Sequence, residues 1–132
     1  MRSRAQRAKS PSLAHGLLQN TELLEKPMST YYFVAASAAF LTEEEPLEEV
    51  LRERVRDYSE KGKEIDFWLV RQPAFLHAPE FKEQASSIPQ PAAAVISTDA
   101  VFIDFMKLRL EYVLKGSFEA PSNSIPDPLA GA

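Results

Sequence analysis

Cysteine is absent from the 132-residue chain. That removes disulfides, zinc–thiolate sites, iron–sulfur clusters and a thiol nucleophile from consideration. Histidine is nearly absent: only His15 and His77 occur. A di-iron carboxylate site needs Glu-x-x-His pairs on facing helices, and neither histidine follows a glutamate at that spacing. Glycine is sparse at four residues, and no G-x-G-x-x-G, phosphate-binding loop or G-x-S-x-G nucleophile turn occurs. No apolar run approaches the roughly 20 residues that cross a bilayer as a helix. Positive charge is concentrated at the start, where Arg2, Arg4, Arg7, Lys9 and Lys26 face only Glu22 and Glu25, whereas the whole chain carries −4. An acidic body argues against nucleic acid as a main partner.

Apolar residues make up 45% and charged residues 26% of the chain, the balance of an ordinary globular protein, and the length suits one domain. Residues 1–27 are expected to be a disordered basic extension, with a targeting peptide or a basic arm for an acidic surface as the functional alternatives. Met28-Ser29-Thr30 reads as a natural beginning of the globular part, 28–132. Tyr31 to Ala36 is aromatic, β-branched and apolar on both faces, which predicts a central strand with a layer on each side. Thr42 and Glu45 form a capping-box pattern, and Leu47, Val50, Leu51, Val55 and Tyr58 make a helical apolar stripe ended by Gly62. Glu64 to Val70 predicts a second strand, with Ile65, Phe67 and Leu69 on one face and Asp66, Trp68 and Val70 on the other. A short helix is expected around Ala78–Glu83. Ala92 to Ser97 is a third strand, and Thr98 or Asp99 caps a last helix running from about Ala100 to Lys115. From about residue 117 the proline-rich remainder is expected to wrap as an extended tail, with Phe118 docking on the body, as part of a short edge strand or without one. The order β-α-β-(α)-β-α predicts an α+β fold. A single antiparallel or mixed sheet of three to four strands is packed between helices.

Three residues stand out as candidates for binding another protein: Asp66, Phe67 and Arg109. Arg109 falls among Phe102, Phe105 and Val113 on the expected apolar side of the last helix, where a guanidinium is costly without a carboxylate. Either it pairs internally with Asp66 or Glu64, or it reaches the edge of the core and presents its fork to another protein. Asp66 is an aspartate in an aromatic strand, against β propensity; with Phe67 it forms a possible anchor, and the plainer assignment of Phe67 and Trp68 is core. Glu43-Glu44-Glu45 and Glu48-Glu49 read as a solvated helix start, since consecutive helical residues diverge and do not converge on one ion. His77 reads as a solvated loop residue. No catalytic residue, metal ligand or cofactor contact is expected, so the residues by themselves describe a binding module.

Several blocks carry a resemblance. They include Thr30-Tyr31-Tyr32-Phe33-Val34-Ala35, Phe40-Leu41-Thr42-Glu43-Glu44-Glu45-Pro46, Lys63-Glu64-Ile65-Asp66-Phe67-Trp68 and Leu108-Arg109-Leu110-Glu111-Tyr112-Val113. Gln72-Pro73-Ala74-Phe75-Leu76, Pro89-Gln90-Pro91-Ala92-Ala93-Ala94 and Ile125-Pro126-Asp127-Pro128-Leu129 extend it, in collinear order over about residues 28–130. Together they resemble the small hypothetical chloroplast open reading frame family of cyanobacteria and plastids. That resemblance implies an accessory protein of the aerobic magnesium-protoporphyrin IX monomethyl ester cyclase, which closes the fifth ring of chlorophyll to give protochlorophyllide. It implies no catalysis and no cofactor of its own, and association with the di-iron catalytic subunit. It also implies a place in the cyanobacterial cytoplasm or plastid stroma, peripheral to the thylakoid. Asp66, Phe67 and Arg109 fall in matching blocks, which implies a partner surface there. The extension 1–27 lies outside the family pattern, and His77 stands where an acidic residue is expected. The alternative within the same pathway is a tetrapyrrole-binding subunit that presents substrate, which needs an apolar cleft with a few convergent polar groups.

Overall fold

The computed structural model describes residues 27–131; the basic extension, up to residue 26, lies outside the described residues. Strand β1, Ser29–Ser37, is followed by a π-helical turn, Phe40–Glu44, and helix α1, Leu47–Lys61. Strand β2, Phe67–Arg71, leads through two 3-10 turns into the one-turn helix α2, Lys82–Ala85. Strand β3, Ala92–Ser97, helix α3, Ala100–Leu110, and strand β4, Leu114–Ala120, complete the order. The four strands form one antiparallel sheet in the order β2-β3-β1-β4. The expected α+β fold with a sheet between other layers is what the chain adopts.

Both central strands are buried on both faces, as their uninterrupted apolar sequences require. Val34, Ala36, Ala93 and Val95 point towards α1 and α3, where they meet Leu47, Leu51, Phe102, Ile103 and Met106. Phe33, Ala35, Ala94 and Ile96 point the other way, against Phe75, Leu76, Phe81, Phe118 and Ile125. The second layer is aromatic: Phe33 lies 4.7 Å from Phe75 and 5.4 Å from Phe81, ring centre to centre. The alanines of β3 leave room for both layers to approach. Gly116 of β4 opposes Phe33, and a Cβ there would stand 2.8 Å from the Phe33 ring.

Four local expectations are corrected. Thr42 does not cap a helix: its hydroxyl donates to the Ala38 carbonyl at 2.6 Å, and α1 starts only after Pro46. Strand β2 begins at Phe67 rather than Glu64. Helix α3 ends at Leu110, not Lys115, because Glu111 takes φ 63° and ψ −60° and the Tyr112 amide donates to the Leu110 carbonyl. The extended remainder starts only after Ala120, since residues 117–120 belong to β4, an edge strand that pairs with β1 and holds Phe118 as expected. Past that strand the chain turns, with the Ser122 amide on the Ile125 carbonyl, and Gly131 forms a bridge with Pro73 beside β2. Other expectations hold. Gly62 terminates α1 at φ 65°, and Asp99 caps α3 by accepting from the amides of Val101 and Phe102.

Candidate functional site

Asp66 and Phe67 sit where α1, β2 and the start of α3 meet, around Arg54. The Arg54 guanidinium carbon lies 3.8 Å from the Phe102 ring centre, 5.0 Å from Tyr58 and 5.1 Å from Phe67. Arg54 donates to the Tyr58 hydroxyl at 2.8 Å and pairs with Asp99 at 3.4 Å. The Tyr58 hydroxyl in turn donates to Asp66 at 2.9 Å. The Nε of Arg54 is enclosed without an acceptor among the described residues, so the ring faces are the compensation that the guanidinium receives there. Ser97, fully buried, completes the junction: its hydroxyl donates to the Asp66 carbonyl at 2.7 Å and accepts from the Asp99 amide at 2.9 Å. One carboxylate, Asp99, thus caps α3 and anchors α1 to it.

This geometry separates the three sequence candidates. Phe67 is 3% exposed and packs edge-on to Tyr58 at 5.2 Å, so its ring is core and does not reach the surface. Asp66 is half-buried and committed to Tyr58. Neither Asp66 nor Glu64 pairs with Arg109, which forms no ion pair among the described residues. Arg54 and Tyr58 were missed. Their signal was present as a cation four residues before a tyrosine on one helix, a spacing that brings the two side chains together.

Arg109 is exposed, contrary to its expected place within the apolar side. The core face of α3 is Phe102, Ile103, Met106 and Leu110. Arg109 lies just off this face, beside a second apolar stripe that points outward. Val101, Phe105, Leu108 and Tyr112 are 75%, 53%, 78% and 82% exposed, four of the seven large apolar residues that are exposed in the described structure. Three of them on one helix and the fourth two residues past its end, rather than scattered, mark an interaction surface. Its far end is built under strain. Glu111 occupies a three-residue γ-turn closed by the 2.6 Å bond from the Tyr112 amide to the Leu110 carbonyl, a conformation rare outside glycine. Lys107 steadies it, its ammonium donating to the carbonyls of Glu111 at 2.7 Å and Val113 at 2.9 Å. Lys115, placed by the sequence on the same helix, instead stands on β4 and pairs with Asp104. The turn stops α3 early and leaves Tyr112 exposed just beyond its end.

His77 is exposed, as expected, at the rim of an open cleft of about 570 Å³ that also includes Pro73, Leu76, Lys82 and Gln90. No hydrogen bond or ion pair engages its ring among the described residues. Glu43 and Glu44 are exposed, and Glu48 pairs with Arg71 at 3.4 Å.

Comparison with known proteins returns one family over this region. The Ycf54 protein family model matches residues 29–120. A Ycf54-like protein of Synechocystis sp. is 63% identical over 103 residues, covering 78% of this chain and 77% of that protein. A chloroplast protein of Arabidopsis thaliana, named YCF54, is 41% identical over 110 residues, covering 83% of this chain and 51% of that longer protein. An X-ray structure of a Nostoc sp. protein superposes with a TM-score of 0.78 at 63% identity, covering 80% of this chain and 97% of that one. No helix in the described residues is long and apolar enough to cross a membrane.

Proposed function

The chain belongs to the Ycf54 family, the open-reading-frame family that its sequence blocks resemble, and on that premise we propose that it is a non-catalytic accessory factor of the aerobic magnesium-protoporphyrin IX monomethyl ester cyclase. It binds and stabilises the di-iron catalytic subunit during closure of the fifth ring of chlorophyll. Its place is the cytoplasm of a cyanobacterium or the stroma of a plastid, at the thylakoid surface through its partner.

The observation that carries this reading is the outward stripe of α3. Exposed Phe105, Leu108 and Tyr112 beside an uncommitted arginine combine the residue types that dominate protein–protein hot spots. Arg109 supplies a planar fork for a carboxylate at the rim of an apolar patch. Asp66 and Phe67 act from behind: with Arg54 and Tyr58 they fix α3 and α1 on the sheet, so they position the surface without touching the partner.

Affinity purification of the tagged protein from solubilised membranes of a chlorophyll-making host tests this. The wild type is expected to bring down the di-iron cyclase subunit. Arg109→Ala and Leu108→Glu, both at exposed positions, are expected to lose it while unfolding within about 0.5 kcal/mol of the wild type. Retention of the subunit by both variants refutes the α3 surface. Its absence from the wild-type preparation refutes the accessory role.

A further inference from the structure

Strand β2 is one edge of the sheet. It pairs with β3 so that Asp66 and Gln72 turn their backbone groups inward: the Thr98 amide donates to the Asp66 carbonyl, and the Gln72 amide to the Ala92 carbonyl. Antiparallel ladders alternate. The N–H and C=O groups of Phe67, Leu69 and Arg71 therefore point away from the sheet, at repeats of about 7 Å; no backbone hydrogen bond engages them among the described residues, and because Gly131 lies against the Arg71 carbonyl the open stretch runs from Phe67 to the Arg71 amide.

The two edges of the sheet are not equivalent. Strand β4 places exposed Lys115 and Glu119 along its length, the charges that discourage further pairing. Strand β2 reads Phe-Trp-Leu-Val before its single arginine. Beside it runs an open cleft of about 360 Å³ between the strand and α1, with Leu51, Phe67 and Leu69 as an apolar floor and Glu48, Arg52 and Val55 along the helix. Val55 is 43% exposed into solvent. Glu48 and Arg71 neutralise each other across the cleft, whereas Arg52 is exposed and without an ion pair among the described residues. The charge that remains uncompensated there is positive.

We propose that β2 is a docking edge for an extended segment of a partner protein, which adds as a fifth strand and fills the cleft under α1. Edge strand plus flanking helix is a recurring way of reading extended peptides: backbone bonds supply affinity and alternate side chains enter the groove. Here the alternate residues on the α1 side must be apolar to cover Leu51, Val55 and Leu69, and one must be acidic to meet Arg52. This surface lies apart from the outward stripe of α3 and does not depend on the identity of the cyclase partner.

The test is selection of a randomised seven-residue peptide display library on the full-length protein. Alternating apolar peptides with one acidic residue are expected to be enriched. Binding of the best of them is expected to protect the Leu69 amide from hydrogen exchange and to shift the backbone resonances of Phe67, Leu69 and Arg71. Arg71→Pro removes an outward N–H without touching the β2–β3 ladder and is expected to weaken binding about tenfold, as for one lost backbone bond with its desolvation. Arg71→Ala keeps that N–H and is expected to change affinity less than about threefold, and Arg52→Glu to remove the acidic preference. Three outcomes overturn the proposal: no enriched sequence, enriched peptides whose shifts map to α3 or the His77 cleft, or a concentration-dependent dimer paired through β2 that excludes peptide. The exchange measurement on the unaltered protein decides the matter even where a variant fails to fold.

Discussion

Replacing Arg54 with alanine removes a guanidinium held between three rings, a hydroxyl and a carboxylate. Phe102, with its ring centre 3.8 Å from the guanidinium carbon, is the best placed of the rings, and a partly desolvated contact of this kind contributes about 1–2 kcal/mol. The bond to Tyr58 and the pair with Asp99 add about 1 kcal/mol together, since the side chains of Arg54 and Asp99 remain 26% and 32% exposed and solvent screens them. The expected loss is about 2–3 kcal/mol, or a fall in Tm of roughly 10–20 °C for a domain of this size. Arg54→Met keeps the aliphatic stem against Phe67 and Phe102 and deletes only the charge, for an expected loss of about 1–2 kcal/mol. Urea unfolding followed by far-UV circular dichroism measures both. A double-mutant cycle with Phe102→Leu should return a coupling of about 1 kcal/mol. The reasoning fails if Arg54→Ala lies within about 0.5 kcal/mol of the wild type. It fails equally if Arg54→Met is the more stable protein, because desolvation would then outweigh the ring contacts.

Phe67→Ala is expected to cost about 3–5 kcal/mol by opening a cavity beneath Arg54; a loss under about 1 kcal/mol in the same assay would return Phe67 to the list of surface contacts. Gly116→Ala drives a methyl group into the Phe33 ring, 2.8 Å away and walled in by Phe75 and Phe81. The overpacking penalty of about 1–3 kcal/mol should exceed the roughly 0.4–1 kcal/mol gained by restricting the unfolded chain, and a stabilised variant would show that the ring moves aside freely. Glu111→Gly releases the γ-turn at φ 63° and is expected to stabilise by about 0.5–1 kcal/mol; measurable destabilisation would mean that the glutamate side chain contributes more than the strain costs.

The central sheet was legible because its signals are local. Tyr31 to Ala36 and Ala92 to Ser97 are apolar on both faces, Asp99 has a side chain that accepts from helix amides, and Gly62 has no Cβ to oppose its left-handed cap. The errors share one cause, tertiary packing overriding a local pattern. Thr42-x-x-Glu45 matches a capping box, yet Pro46 interrupts the chain before α1, and Thr42 turns back to Ala38. The residues after Leu110 continue a helical pattern with no glycine or proline at the break, so the stop at Glu111 rests on Lys107 binding two carbonyls, which spacing does not reveal. That misplaced end also set Val113 on the same helix as Arg109, whereas Val113 lies beyond the helix end, and so put the arginine side chain in the core. For the candidate site, the binary pattern placed Arg54 off the apolar stripe; only the approach of β2 and α3 supplies the rings that hold it. Phe67 was singled out for its neighbour Asp66, and its alternation with Leu69 already pointed inward.

Trp68 is the single tryptophan of the chain, and it lies on β2, half-buried, with Tyr31 6.5 Å away across the sheet surface. Every photon of indole emission therefore originates at the sheet edge proposed as a docking strand, and none from α3. A ligand on one surface changes the emission and a ligand on the other leaves it nearly constant, so the unlabelled protein distinguishes its two faces by colour.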